Sequence, residues 1–303
     1  MKIIAGGHAM SSTQAVRFHG SEIDFGNIAG LIGHWVGANG FNMISVPDQK
    51  GGFELLVESY TEDLVVDPIP VTTPNRGLTV IENIPTLQYS TTIKELVKGE
   101  VGSIIHVEGG FWELAQFAVR NAGYDIFRIA SVPHGNAVEA MGTSSVAPGR
   151  PVFDLDVNAT PTGDVPTVDG YNDKFGYPLE FPAFIPAFPN KTLDDYLKQQ
   201  EANGQTVTET VTLQVSTRNM GGIANIASIR RNANATEFDA TYWIETVEDQ
   251  KTGTTFKQLQ YSQRIMIEFP INIDMPGQTV CWPHMNVNTL TVASAPSAGT
   301  QVA

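Results

Sequence analysis

The sequence predicts an all-β protein, an antiparallel sheet closed into a barrel of about ten strands and interrupted by one long loop-and-short-helix insertion. Three observations carry this. Short segments rich in Val, Ile, Thr, Phe and Tyr, bounded by Gly, Pro, Asn or Asp, recur along most of the chain. The 303 residues include 28 glycines and 18 prolines, a turn-rich composition that disfavours a helical bundle. Several segments alternate, with Thr206, Thr208, Thr210 and Thr212 on one face and Val207, Val211 and Leu213 on the other. Alternation implies an antiparallel sheet with one wet and one dry face, and closing that sheet removes its exposed edges. With 42% apolar and 17% charged residues, the chain can bury a large core, and we read residues 1–303 as a single domain.

Taken in order, residues 21–32 read as a short helix ahead of the first strand. Strand-like segments follow at 52–60, 86–92, 103–119, 124–132 and 137–142. Residues 145–205 then read as an insertion that packs on the barrel or lids its mouth. Within it, Pro178, Pro182, Pro186 and Pro189 exclude helix and central strand, while Phe181, Phe184 and Phe188 need an apolar resting place. The clearest helix covers 192–200, with Thr192 as N-cap, Asp194 and Asp195 in the first turn and Gly204 past the end. Strands resume at 207–215, 224–230, 237–245, 257–269 and 286–292, and the small polar tail 294–303 reads as disordered.

The composition excludes several functions. Eighteen basic against 32 acidic residues leave a formal charge of −14, which repels phosphate backbones and argues against a nucleic-acid partner. The one cysteine, Cys281, forms no internal disulfide and excludes every Cys-cluster metal site; beside Trp282 it reads as a small packing group. The opening residues offer no hydrophobic signal core, and no apolar run is long enough for a spanning helix, so the expectation is a cytoplasmic protein without a membrane span. No phosphate-binding glycine loop, His-Glu-x-x-His or Gly-x-Ser-x-Gly motif occurs.

Six histidines remain as candidates. His8 and His19 lie in an irregular opening segment and read as solvated. The others sit in more specific settings. In Gly33-His34-Trp35-Val36-Gly37 the small neighbours admit a bulky indole that would close the barrel floor. Ile105-His106-Val107-Glu108-Gly109-Gly110-Phe111-Trp112 places His106, Glu108 and Gly110 on one strand face. Pro133-His134-Gly135-Asn136 interrupts two strand pieces as a bulge or tight turn, where His134 is either an ordinary turn histidine or, at a cavity mouth, a hydrogen-bond donor or ligand-orienting group. The last strand carries Cys281-Trp282-Pro283-His284-Met285-Asn286-Val287-Asn288, in which Pro283 stiffens the backbone before His284.

These landmarks, in this order, resemble the nitrobindin family, fatty-acid-binding-protein-like barrels of the calycin type that hold a ferric haem. The resemblance spans residues 28–145 and 207–292 discontinuously. It implies that His284 is the proximal ligand of a haem b iron, that Trp35 closes the barrel, and that His106, Glu108, Gly110 and Trp112 form the middle strand. Trp282 and Met285 would wall the macrocycle, and His134 would be a distal group. The chain departs from the pattern in its 145–205 insertion, in Ala38-Asn39-Gly40-Phe41, and in having Thr289-Leu290-Thr291-Val292 where basic residues are expected.

Three functions follow. The first is a ferric haem barrel with an open sixth iron position for nitric oxide or small oxidants, with peroxynitrite isomerisation implied by the resemblance. The second is a haem-free barrel holding a fatty acid or other apolar small molecule. The third is an enzyme that uses His134, His106 and Glu108 as acid and base groups.

Overall fold

The computed structural model describes residues 15–18, 21–47, 53–74, 82–115, 123–154, 162–163, 189–270 and 277–293. Most of the insertion, including the proline–phenylalanine run up to Phe188, lies outside the described residues, as do His8, His19 and the tail 294–303. A hairpin of β1 (Ala15–Phe18) and β2 (Ser21–Asp24) leads into a 3₁₀ turn, Gly26–Leu31. Then come β3 (Gly33–Pro47) and β4 (Phe53–Pro68), a minor hairpin of β5 (Thr73–Pro74) and β6 (Asn83–Ile84), and β7 (Thr86–Val97). The chain continues with β8 (Glu100–Leu114), β9 (Ile126–Val132), β10 (Asn136–Pro148) and the two-residue β11 (Thr162–Gly163). After helix α1 (Asn190–Ala202) come β12 (Gln205–Asn225), α2 (Ala227–Asn232), β13 (Asn234–Asp249), β14 (Thr254–Pro270) and β15 (Thr279–Val292).

Ten of these strands form the barrel in the order β3-β4-β7-β8-β9-β10-β12-β13-β14-β15, each antiparallel to the next. Pairing of Met285 with Met43 and of Val287 with Phe41 joins the last strand back to the first and closes the sheet. The predicted fold class is therefore the observed one. Among the described residues no helix is long and apolar enough to cross a membrane.

Two predicted elements take different forms. Residues 21–32 were expected as helix, but β2 occupies the first half and a 3₁₀ turn the second. The reason is local. Gly26 adopts a φ of +52°, which interrupts the chain, and Ile28 and Leu31 are spaced by three, so a three-residue period buries both. Residues 224–230 were expected as strand, but β12 ends at Asn225 and α2 begins. Ile226 and Ile229 are also spaced by three, and both lie against the position where a Cβ on Gly135 would stand. Helix α1 starts two residues before Thr192, whose hydroxyl donates to the Pro189 carbonyl at 2.7 Å instead of capping the helix.

The core has two parts. Inside the barrel, the 3₁₀ turn plugs one end: Phe25, Ile28 and Leu31 pack with Trp35, Leu87, Trp112, Leu213 and Leu259. The Trp35 indole is 1% exposed, and its N–H donates to the Leu31 carbonyl at 2.7 Å, tying the plug to β3. On the barrel's outer surface, Leu193 and Leu197 of α1 and Phe153 pack against Met43, Trp243, Met285 and Val287. Gly110 fits its place because a Cβ there would stand 1.9 Å from the Ile129 carbonyl oxygen, too close for any side chain between β8 and β9.

A buried polar chain also fastens α1 to the wall. Gln200 donates to Gln258 at 2.8 Å, and Gln258 donates to Glu245 at 2.5 Å. Burial pushes the Glu245 carboxyl up to about 8, so the fold favours its neutral form.

Two outcomes are expected in urea denaturation. Trp35→Ala should cost about 3–5 kcal/mol of stability. Trp35→Phe, which keeps most of the ring but abandons the Leu31 carbonyl, should cost about 1–3 kcal/mol. Because the Glu245 carboxyl titrates higher in the fold than its ordinary 4.5, the unfolded chain releases that proton first. Its contribution to stability should therefore fall as pH rises from about 4.5 to about 8 and stay level above. Glu245→Gln should remove that slope, and stability measured at pH near 5 and near 9 on both proteins checks it.

Candidate functional site

Alternate residues of the strands point inward and line a cavity of about 500 Å³ above the 3₁₀ plug. Much of its wall is apolar: Ile44, Leu56, Val66, Ile93, Val138, Phe238 and Ile265 all face it. The mouth-side lining includes Ile229 of α2, His134 of the β9–β10 turn and Asn136 at the start of β10. Three clusters of polar side chains stand out on this wall.

The first is a histidine cluster. His284 lines the cavity together with His106 and His134, so the structure brings three of the histidines singled out in the sequence to one space. The His106 and His134 rings lie 5.7 Å apart between centroids, tilted by 42°. The Asn42 amide donates to Glu58 at 3.2 Å, which turns the Asn42 oxygen toward His284 Nε2. That oxygen only accepts, so His284 carries its proton on Nε2 and its lone pair on Nδ1. Burial, with repulsion from His106 and His134, pushes the His284 imidazole down to about 4, and it is neutral at pH 7. His134 is also shifted down, by burial and by His106.

The second is an ion pair inside the barrel. Arg128 of β9 bonds through Nη2 to Oε1 of Glu108 on β8, and Tyr89 donates to the same oxygen at 2.5 Å. His106 Nε2 stands 3.7 Å from Oε2 of Glu108. Burial alone would raise the Glu108 carboxyl, but Arg128, His106 and Tyr89 outweigh it and hold it at about 2. Phe238, Tyr89 and Tyr242 surround the guanidinium carbon at 4.8, 5.4 and 6.0 Å from their ring centres.

The third is Glu62 on β4. Its carboxylate accepts from Tyr261 at 2.5 Å, Asn288 at 2.9 Å and Thr91 at 3.1 Å. Tyr60 bonds Tyr261 at 2.8 Å and the Val287 carbonyl at 3.0 Å. Burial raises the Glu62 carboxyl above its ordinary value, these hydrogen bonds oppose the shift, and Glu108 adds to it.

Two of the four residues expected around a cofactor, His284 and His134, line the cavity, and Trp282 and Met285 do not. Met285 has the opposite strand parity from His284 and Asn286, pairs with Met43, and is buried in the outer cluster. Trp282, 1% exposed, belongs to that same cluster. His34 pairs with Asp63 at 3.0 Å, both side chains exposed. Cys281 is half-buried, and burial raises its thiol, in keeping with a packing role. Among the described residues no group of three His, Cys, Asp or Glu side chains is arranged to hold a metal ion, whereas a haem iron needs only one axial histidine. Reasoning from sequence passed over Arg128, Glu62 and Asn42. A usable signal existed for Arg128, since it shares strand parity with the buried Ile126 and Ala130.

No protein-family profile matches this sequence, and no curated protein matches it. Among solved structures, the chain is similar to the crystal structure of Rv2717c from M. tuberculosis, with a TM-score of 0.42 and 14% identity over 88% of this chain and 95% of that one.

Removing Arg128 alone should strand an ionised Glu108 inside the barrel. Arg128→Met is expected to cost about 3–5 kcal/mol in thermal or urea unfolding. Adding Glu108→Gln to that variant should recover most of the loss, because the pair is then removed together.

Proposed function

We propose that this chain is a small-molecule-binding barrel whose occupant is a largely apolar molecule held inside the sheet. The supporting observation is the cavity of about 500 Å³, apolar over much of its wall. A neutral fluorescent probe such as N-phenyl-1-naphthylamine tests this directly. Saturable binding is expected, and Ile44→Trp, which grows a ring into the cavity from a half-buried wall position, should weaken it at least about tenfold. Binding unchanged by that substitution would place the probe elsewhere.

A second reading, ferric haem b carried on His284, is favoured by one specific observation: the imidazole lies on the cavity wall and is neutral at pH 7. The donor chemistry fits, since an axial imidazole has to be uncharged and an apolar wall suits a macrocycle. The Nδ1 lone pair would be the donor to iron, with the Nε2 proton held on the Asn42 oxygen. Bound there, haem would supply an open coordination position for nitric oxide or small oxidants, the chemistry behind peroxynitrite isomerisation. His284 would hold the group, and His106 and His134 would offer hydrogen bonds on the same wall. Titration with hemin should give a saturable Soret shift that His284→Ala abolishes. No shift in the parent protein leaves the haem-free reading.

The acid–base enzyme has its three residues on one wall, yet Glu108 is ion-paired and titrates at about 2, far from the range in which a general acid or base operates near neutrality.

A further inference from the structure

The Glu108–Arg128 pair leaves work for a ligand to do. Arg128 is 3% exposed and lines the cavity, and among the described residues only its Nη2 has a hydrogen-bond partner. Nε and Nη1 are buried without one. The three surrounding rings stabilise the guanidinium charge but direct no oxygen at those two donors. A buried N–H without an acceptor is costly, and a ligand that brings an acceptor relieves that cost.

Charge decides what kind of acceptor. Arg128 is already neutralised by Glu108, and the carboxyl of Glu62 lines the same cavity close enough to feel Glu108. An entering carboxylate would meet one cation already paired, with a second acidic side chain nearby, and would lose its hydration on the way in. An uncharged oxygen has no such penalty and still fills the open donors. We propose that the Arg128 end of the cavity is a recognition subsite for a neutral acceptor, a ketone, aldehyde or ester carbonyl on an otherwise apolar ligand, received by Nε and Nη1. This deepens, and rests on, the small-molecule-binding reading. It separates the carbonyl compound from the fatty acid as the preferred haem-free occupant.

The experiment is displacement of bound N-phenyl-1-naphthylamine by 2-tridecanone, tridecane and dodecanoate at pH 7. The ketone should displace the probe at a concentration at least about tenfold below either of the others, the gain expected of a hydrogen bond to a charged donor. The ketone-to-alkane ratio should fall toward one in the Arg128→Met, Glu108→Gln double variant. Arg128→Lys, which keeps a cation for Glu108 but removes the guanidinium fork, should lower it as well, so the test survives if the double variant does not fold. Dodecanoate displacing best would make this an anion site and overturn the inference. Equal potency of ketone and alkane in the parent, or a ratio unchanged in the variants, would overturn it too while leaving the cavity reading standing. Failure of the probe to bind the parent at all would defeat the cavity reading, and this inference with it.

Discussion

Pairing between β15 and β3 turns a long meander into a closed wall, and the interior depends on that seam. A sheet of ten antiparallel strands left open would present two unpaired edges and could not enclose a volume. Once closed, every second residue has only the lumen to face, so the chemistry of the cavity is written in strand parity. His284 and Asn286 reach the lumen from β15 because Met285 and Val287 are taken up by the outer cluster beneath α1. The seam that closes the barrel thus also aims the imidazole inward.

A space closed off from bulk water changes the worth of each polar group within it. Glu108, Arg128 and Glu62 line the lumen at strand positions that elsewhere carry apolar side chains. The two carboxylates survive there through dense partnering: Glu108 by Arg128, Tyr89 and His106, and Glu62 by Tyr261, Asn288 and Thr91. The His284 imidazole answers the same pressure in the other way, by shedding its charge. The outcome is a cavity whose walls are mostly greasy and whose polar points are already neutralised, which suits uncharged occupants.

Helix α1 and the 3₁₀ plug show how the barrel is held shut from two sides. The plug fills one end with Ile28 and Leu31 and is bonded to Trp35, while α1 covers the outer wall through Leu193, Leu197 and the Gln200–Gln258–Glu245 chain. Neither element contributes a charge to the lumen. At the mouth, α2 and the His134 turn are joined by the Ile226 N–H, which donates to the Gly135 carbonyl at 3.0 Å.

The strands were legible in the sequence because β-branched and aromatic runs punctuated by glycine and proline have a period that needs no partner to be recognised. Residues 21–32 and 224–230 were misread because isoleucines and leucines three apart fit a short helical turn as well as a strand end, and only the surface they meet decides between them. His284, His134 and His106 were legible as candidates from their sequence settings. Their convergence was not, since β8, the β9–β10 turn and β15 are brought together only by closure. The sequence by itself determined the all-β architecture, the acidic charge and the identity of the histidines. Tertiary structure alone decided that Arg128 and Glu62 face inward and that Trp282 and Met285 do not line the cavity, because burial depends on which strand lies opposite.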